Sequence, residues 1–304
     1  MDMDPVLDTL FSIIIPTCDR NEDLDRCLES LRLSGSETLI AVPDKQTVKK
    51  GELLYEVVVT DDGTQSTAEV LIQKKFPWAR WFPGPQRGPA ANRNFGAIKA
   101  TGEWLLFLDD DCVPIAGWLE AYASAKINFP NFSVFEGRTV PQGLQTRADQ
   151  ECPSNLQGGH LWSCNFAIKR RLFLDLDGFD EQFPLAGMED IDLQVRLEKM
   201  ACPILFVPGA CVEHPWRSRK GPRFYIALAK SIGYFATKHA DSKPIFSESW
   251  AIKRALRAIA IEFPRNFLRF RDSSPFRVLY LELVAASTSF FELFSKRARL
   301  MKSR

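Results

Sequence analysis

The apolar positions along the chain fall into short, regularly spaced blocks. FSIII (11–15) is a short apolar run, broken only by Ser12 and closed by Pro16, the pattern of a parallel strand buried on both faces. NEDLDRCLESLRL (21–33) sets Leu24, Leu28 and Leu31 at helical spacing, with Asn21 or Asp19 available as its cap. YEVVVTDDG (55–63) predicts a second strand, TQSTAEVLIQKKF (64–76) a helix, and ARWFPGP (79–85) a short strand closed by turn residues. GPAANRNFGAIKATG (88–102) predicts a helix with Pro89 in its first turn and Gly102 at its end. A third long strand follows in EWLLFLDDD, and then a helix in GWLEAYASAKINF (117–129).

Strand and helix alternating over about 130 residues predict an α/β fold with a doubly wound, mostly parallel sheet. Such sheets bind ligands beyond the carboxyl ends of their strands. The polar residues after the three long strands sit there: Thr17 and Asp19, Asp61 and Asp62, and Asp109, Asp110 and Asp111. Past residue 130 the pattern changes. FSVFEGRTV (132–140), WSCNFAIKR (162–170) and PILFVPGACVEH (203–214) predict strands, and MEDIDLQVRLEKM (188–200) a helix with Glu189, Asp190 and Asp192 in its first turn. WRSRKGPR (216–223) predicts a mobile polar loop. Helices follow from 224, broken at Pro244, Pro264 and Pro275.

Three adjacent carboxylates at the end of a buried strand repel one another, and desolvating them costs several kcal/mol unless a cation is present. A solvated turn is the bland explanation for any one acidic strand end. Three such ends on one sheet edge favour a nucleoside diphosphate with a divalent metal, because Mg²⁺ and Mn²⁺ take carboxylate and phosphate oxygens. Asp109 and Asp111 have a D-x-D spacing that lets both face one pocket. Glu189 and Asp190 open a helix, where acids also suit the helix dipole, and a carboxylate there is a candidate general base. His214, one of three histidines, follows a strand and is a candidate metal ligand. Arg87, Arg93 and Arg138 are candidate phosphate partners.

In order, SIIIPTCDR, VVVTDDGT, GPAANRNFG, WLLFLDDDCVP, NFAIKRRLFLDLDGFDE, GMEDIDLQVRL and EHPW resemble the motifs of family 2 glycosyltransferases over roughly residues 11–240. The resemblance implies a GT-A type, Rossmann-like mixed sheet flanked by helices, with a C-terminal helical extension. It divides the chain into a catalytic domain, 1–222, and a basic helical region, 223–304. Within the former, about 11–130 would bind the nucleotide and 131–222 the acceptor. The implied activity is inverting transfer from a nucleotide-diphosphate sugar, a UDP- or dTDP-sugar, to a glycan or lipid-linked hydroxyl, with a divalent metal ion (Mn²⁺ or Mg²⁺) as cofactor. By position, Asp62 would meet the base, Pro16, Thr17 and Asp19 the nucleoside, Asp109 the ribose and Arg93 the phosphates, with Asp110 beside them. Asp111 would hold the metal, His214 would complete its shell, and Asp190 would be the general base beside Glu189. Residues 36–54 form a longer connection than the family pattern, and Cys18 stands where an aromatic is frequent. A sugar-nucleotide nucleotidyltransferase and a non-catalytic nucleotide-sugar-binding protein are the alternatives. The first lacks a Gly-rich loop after SIIIP.

Composition refines this picture. At 45% hydrophobic and 25% charged residues the chain is a folded protein, not a disordered one. Seven cysteines without a C-x-x-C pair fit a reduced, cytoplasmic setting and exclude a zinc site by spacing. The N-terminus lacks signal-peptide features. No run reaches the roughly 18 uninterrupted apolar residues of a membrane span; the longest, 278–294, is interrupted by Glu282 and Glu292. The net charge of +1 hides an asymmetry: residues 217–304 hold 19 Lys+Arg against 6 Asp+Glu, and the rest 20 against 32. WAIKRALRAIAIEF (250–263) sets Ile252, Leu256, Ile259 and Phe263 on one face and Lys253, Arg254 and Arg257 largely elsewhere, the pattern of an interfacial helix. Peripheral contact with anionic membrane, at the inner face of the plasma membrane, is therefore expected. Nucleic acid is not, because the body is acidic and carries no recognised module.

Overall fold

The computed structural model describes residues 10–33, 39–41, 53–241 and 245–302. Most of the long 36–54 connection, and the expected break at Pro244, lie outside the described residues. The chain divides into two compact units, one of residues 1–142 and 153–215, the other of residues 143–152 and 216–304. The expected boundary at 222 falls instead after Pro215. Gly143–Cys152 joins the second unit because its β8 (Gln150–Glu151) pairs antiparallel with β11 (Arg217–Ser218). The segment expected to be a mobile loop thus contains a strand.

The first unit is built on nine strands: β1 (Leu10–Thr17), β2 (Leu39–Ala41), β3 (Leu53–Asp61), β4 (Ala79–Pro83), β5 (Trp104–Leu108), β6 (Val113–Pro114), β7 (Val134–Pro141), β9 (Asn165–Lys169) and β10 (Ile204–His214). They run β2-β3-β1-β5-β9-β7-β10-β6, with β4 also on β3. The β1–β3, β1–β5, β2–β3, β3–β4 and β7–β10 pairings are parallel; β9 is antiparallel to both β5 and β7, and β6 to β10. The continuous apolar runs follow from burial on both faces. Ile13, Ile15, Val57, Val59 and Leu106 belong to one core, while Ile14, Val58, Leu105 and Phe107 belong to the other, because successive side chains leave opposite faces of a strand.

The helices of this unit are α1 (Asn21–Leu33), α2 (Glu69–Lys75), α3 (Pro89–Lys99), α4 (Trp118–Asn128), α5 (Arg170–Asp175) and α6 (Glu189–Lys199). Helix α3 lies close on the sheet at Gly96, where an added Cβ would stand 2.5 Å from Ile14 Cγ2. The helix expected over 64–76 begins only at Glu69. Asp19 Oδ1 accepts the amides of Thr64, Gln65 and Ser66 at 2.8–3.1 Å, and Asp61 accepts those of Gly63 and Ala68. Carboxylates therefore hold these N–H groups in a turn. The same contact turns Asp19 Oδ1 away from capping α1.

The second unit contains α7 (Pro222–Lys238), α8 (Glu248–Arg257), α9 (Phe263–Arg269) and α10 (Ser274–Lys302). The single helix expected over 250–263 passes through a π-helical turn, Ala258–Glu262, and Pro264 sits in the first turn of α9 rather than ending the helix. A proline cannot donate to the ladder and its ring crowds the carbonyl four residues back, which the wider turn relieves. Helix α10 is, by length and composition, apolar enough over Ser274–Ala298 to cross a membrane, and 39% of that window is buried. This corrects the expectation that no stretch is long enough: Glu282 and Glu292 interrupt the apolar run without lowering its mean hydropathy below that of a span.

Candidate active site

The carboxyl ends of β1, β3 and β5 meet through polar contacts. Thr17, buried, donates its hydroxyl to Asp110 Oδ2 at 2.7 Å, and its carbonyl accepts the Asp62 amide at 2.9 Å. Asn92 on α3 donates to the carbonyls of Thr17 and Thr60, tying two strand ends together. Pro16 is buried beside Thr17. Asp62 Oδ1 accepts the Gln86 amide at 2.8 Å, and Gly84 is required there, since a Cβ would come within 2.2 Å of that oxygen. Burial pushes the Asp62 carboxyl above its ordinary value, whereas the three loop amides hold Asp19 below it.

The three acids after β5 have three different environments. Asp109 pairs with Arg93 at 2.6 Å; its own desolvation opposes ionisation, but the guanidinium wins and the carboxyl lies below its ordinary value. Asp110, fully buried, is pushed up to about 7 by burial, against the pull of Arg20 at 2.6 Å. Asp111 faces Arg20 at 3.3 Å on one side and His214 Nε2 at 3.5 Å on the other. The register brings this last pair together: Val212 pairs with Pro114 and Glu213 with Val113, so the next step along β10 sets His214 opposite Cys112.

The ligand atoms of Asp111, Cys112 and His214 all lie within 4.8 Å of one another. His214 Nδ1 is 2.8 Å from the Pro215 carbonyl. A carbonyl only accepts, so Nδ1 carries a proton and Nε2 is the nitrogen turned towards the Asp111 carboxylate. A carbonyl bonded to the far nitrogen is the usual partner of a metal-bound histidine. Carboxylate and imidazole are ligands suited to Mn²⁺, with a hard oxygen that also suits Mg²⁺.

A second acidic pair opens α6. Glu189 is fully buried and both its oxygens are occupied: Oε1 by Arg93 at 3.0 Å, Oε2 by the amides of Gly187 and Met188. Arg93, itself 4% exposed, thus links Asp109 to Glu189 and stacks over Phe179. Its guanidinium ends are taken by carboxylates, so the structure places this candidate phosphate ligand as a bridge. Asp190 accepts the amides of Ile191 and Ser163, and burial first, then the neighbouring Glu189 charge, pushes it up to about 7. Of the other arginines considered, Arg87 pairs with Glu181 at 3.0 Å and Arg138 is exposed. Sequence reasoning missed Arg20, the cation between Asp110 and Asp111, although it directly follows the first strand end in SIIIPTCDR. It also missed Asn92 and Cys112.

The description "Glycosyl transferase family 2" matches residues 12–174, more than half of the chain. The chain belongs to that family. It is 25% identical to a putative polypeptide N-acetylgalactosaminyltransferase 13 of Drosophila melanogaster over 66% of its length and 42% of that protein. It is 28% identical to an uncharacterized glycosyltransferase of Haemophilus influenzae over 62% of each. The chain thus spans less than two thirds of these relatives. Among solved structures, its fold resembles the mannosyltransferase PcManGT of Pyrobaculum calidifontis, in complex with GDP-Man and Mn²⁺, at TM-score 0.54, 16% identity and coverage of 98% of this chain and 81% of that one. It also resembles residues 1–349 of S. aureus TarS at TM-score 0.51 and 17% identity, covering 95% and 91%. The fold is of the GT-A type.

Proposed function

We propose that the chain catalyses inverting transfer of a sugar from a nucleoside diphosphate donor, a UDP- or dTDP-sugar, to a hydroxyl of a glycan or lipid-linked acceptor. The observation that carries this reading is Asp190, a buried carboxyl whose proton affinity lies near neutrality, at the head of α6. A general base works best when its pKa lies close to the working pH. Asp190 takes the proton of the acceptor hydroxyl as that oxygen bonds to the anomeric carbon, and the bond to the diphosphate oxygen breaks on the opposite face. Glu189, with both oxygens engaged, does not meet the acceptor in this reading. It raises the proton affinity of Asp190 and is itself neutralised by Arg93.

Asp111 and His214 are the residues that would hold a divalent ion, Mn²⁺ or Mg²⁺. Such an ion supplies charge compensation where a departing diphosphate accumulates negative charge. The Mn²⁺ and GDP-Man bound by a mannosyltransferase of the same fold support a metal and a nucleotide sugar here. Asp62, at the end of β3 with one oxygen held by a backbone amide, is read as the base-recognition residue, and Pro16 and Thr17 as the nucleoside wall. Asp19 orders the 64–66 turn at the mouth. Asp109 keeps its place beside the ribose through Arg93, and Asp110, tied to Thr17 and Arg20, joins the first and fifth strand ends beneath the donor.

Seven free cysteines and the basic second unit support a cytoplasmic protein in peripheral contact with an anionic membrane. A panel of nucleotide sugars read by thermal shift, with and without Mn²⁺, tests the donor reading. Stabilisation by a nucleotide sugar that needs both Mn²⁺ and Asp111 is expected; indifference to every donor would sink it.

A further inference from the structure

The second unit carries an apolar surface that its own helices leave exposed. On α8 and the turn after it, Ile252, Leu256 and Ile259 recur at one face and are 50–59% exposed. On α10, Phe276, Tyr280, Leu283 and Phe291 continue a stripe at helical spacing, again exposed. Small residues, among them Ala251 and Ala255 on α8 and Ala286 and Ser287 on α10, line the space between the helices and leave a furrow of about 540 Å³. A contiguous exposed apolar patch bordered by charge marks an interaction surface.

The charge is positive. Residues 248–302 hold 11 Lys+Arg against 5 Asp+Glu. Glu282 is buried and bonded to Arg219 and Arg254, Asp272 faces Arg147, and Glu262 faces Arg257. Lys253 and Arg257 are exposed beside Ile252 and Leu256. Apolar side chains bordered by cations complement an anionic lipid surface.

Helix α10 is long enough to span a bilayer, yet its packing argues that it lies flat. Glu282, near the middle of its apolar window, holds Arg254 at 2.6 Å. Near its end, Glu292 packs so closely on Gly233 of α7 that an added Cβ would come within 2.5 Å. Leu281 and Ala285 are buried against Tyr225. Crossing the membrane would strip these contacts and carry Glu282 into hydrocarbon without its arginines.

We propose that the α8–α10 face is an in-plane membrane-docking surface that rests on anionic phospholipid and takes lipid chains into its furrow. This deepens the membrane contact read above by naming the face and its orientation. The test is flotation of the full chain with phosphatidylglycerol–phosphatidylcholine vesicles and with phosphatidylcholine alone. The wild type should float with the former and weakly with the latter. Leu256→Asp with Phe291→Asp should abolish flotation, and Lys253→Glu should weaken it at least about fivefold. Both sites are exposed, and an unchanged melting transition shows that the variant folds. Alkaline carbonate should release the bound wild type.

Absence of wild-type flotation, or equal flotation of the double variant, would overturn the proposal. Retention after carbonate would overturn the in-plane arrangement in favour of a span. Self-association lost in the double variant, without flotation, would assign the face to a second copy of the chain. Flotation needs no turnover, so a chain that floats but transfers no sugar would defeat the proposed reaction and leave this inference standing.

Discussion

Replacing Asp190 by Asn tests catalysis and electrostatics together. The side chain keeps its shape and an oxygen to accept the Ile191 and Ser163 amides, but can no longer take a proton as a base. Transfer should be lost while donor binding, read by thermal shift, is kept. Stability should move the other way. The carboxyl is raised from 3.8 to about 7 in the folded protein, so the folded state holds this proton more tightly than the unfolded chain does. The stability it confers is full below about pH 4 and is lost as pH rises through about 7. Asn, always neutral, avoids that loss. At ~1.36 kcal/mol per unit, the ceiling of the gain above pH 7 is about 4 kcal/mol, and it shrinks as pH falls towards the ordinary carboxylate range. At ~2–4 °C per kcal/mol, that ceiling corresponds to a rise in melting temperature of roughly 8–16 °C near pH 8. The wild-type transfer rate should climb through about pH 7 and level off above it, as the base deprotonates. Full transfer by the variant, or equal melting temperatures at pH 8, would refute the reasoning.

Asp111→Ala and His214→Ala should each abolish the Mn²⁺-dependent part of donor binding measured by calorimetry, and the double variant should be no worse than either, since both act on one site; additive losses would separate them. Arg93→Met should leave Asp109 and Glu189 without their shared cation and cost about 3–5 kcal/mol of stability in denaturant titration. A change below about 1 kcal/mol would mean that the bridge carries little. Asn165→Leu should cost several kcal/mol, because its side chain satisfies Trp118 Nε1 and Tyr122 at 2.9 Å and the carbonyls of Arg138 and Ala210, all of which it would leave buried and unpaired. Retained stability would argue that water replaces the amide.

Periodicity and punctuation made much of the architecture legible. FSIII, YEVVV and EWLLFL read as strands buried on both faces because consecutive apolar residues dominate them, and the two polar exceptions inside the runs, Ser12 and Glu56, bond to each other at 2.6 Å; residues 21–33 read as the helix they form. The acids at the strand ends were visible for the same reason, since the carboxyl edge of a parallel sheet follows from strand order alone. Where local preference met a distant carboxylate it failed. The helix expected over 64–76 starts only at Glu69, because Asp19 and Asp61 take the amides of Gly63, Thr64, Gln65, Ser66 and Ala68.

The sequence by itself determined the elements, the family pattern and the concentration of acids, because these depend on neighbours within a few residues. Tertiary structure decided what each acid does. Asp109, Asp110 and Asp111 are chemically identical and adjacent, but Arg93, the Thr17–Arg20 pair and His214 reach them from separate elements. Likewise Glu189 and Asp190 differ because Arg93 pairs directly with the first, whereas burial and the Glu189 charge outweigh the backbone amides and the more distant Arg93 at the second. The energy of a charge depends on what lies within a few ångströms in space, and those partners stand 16 to 103 residues away along the chain.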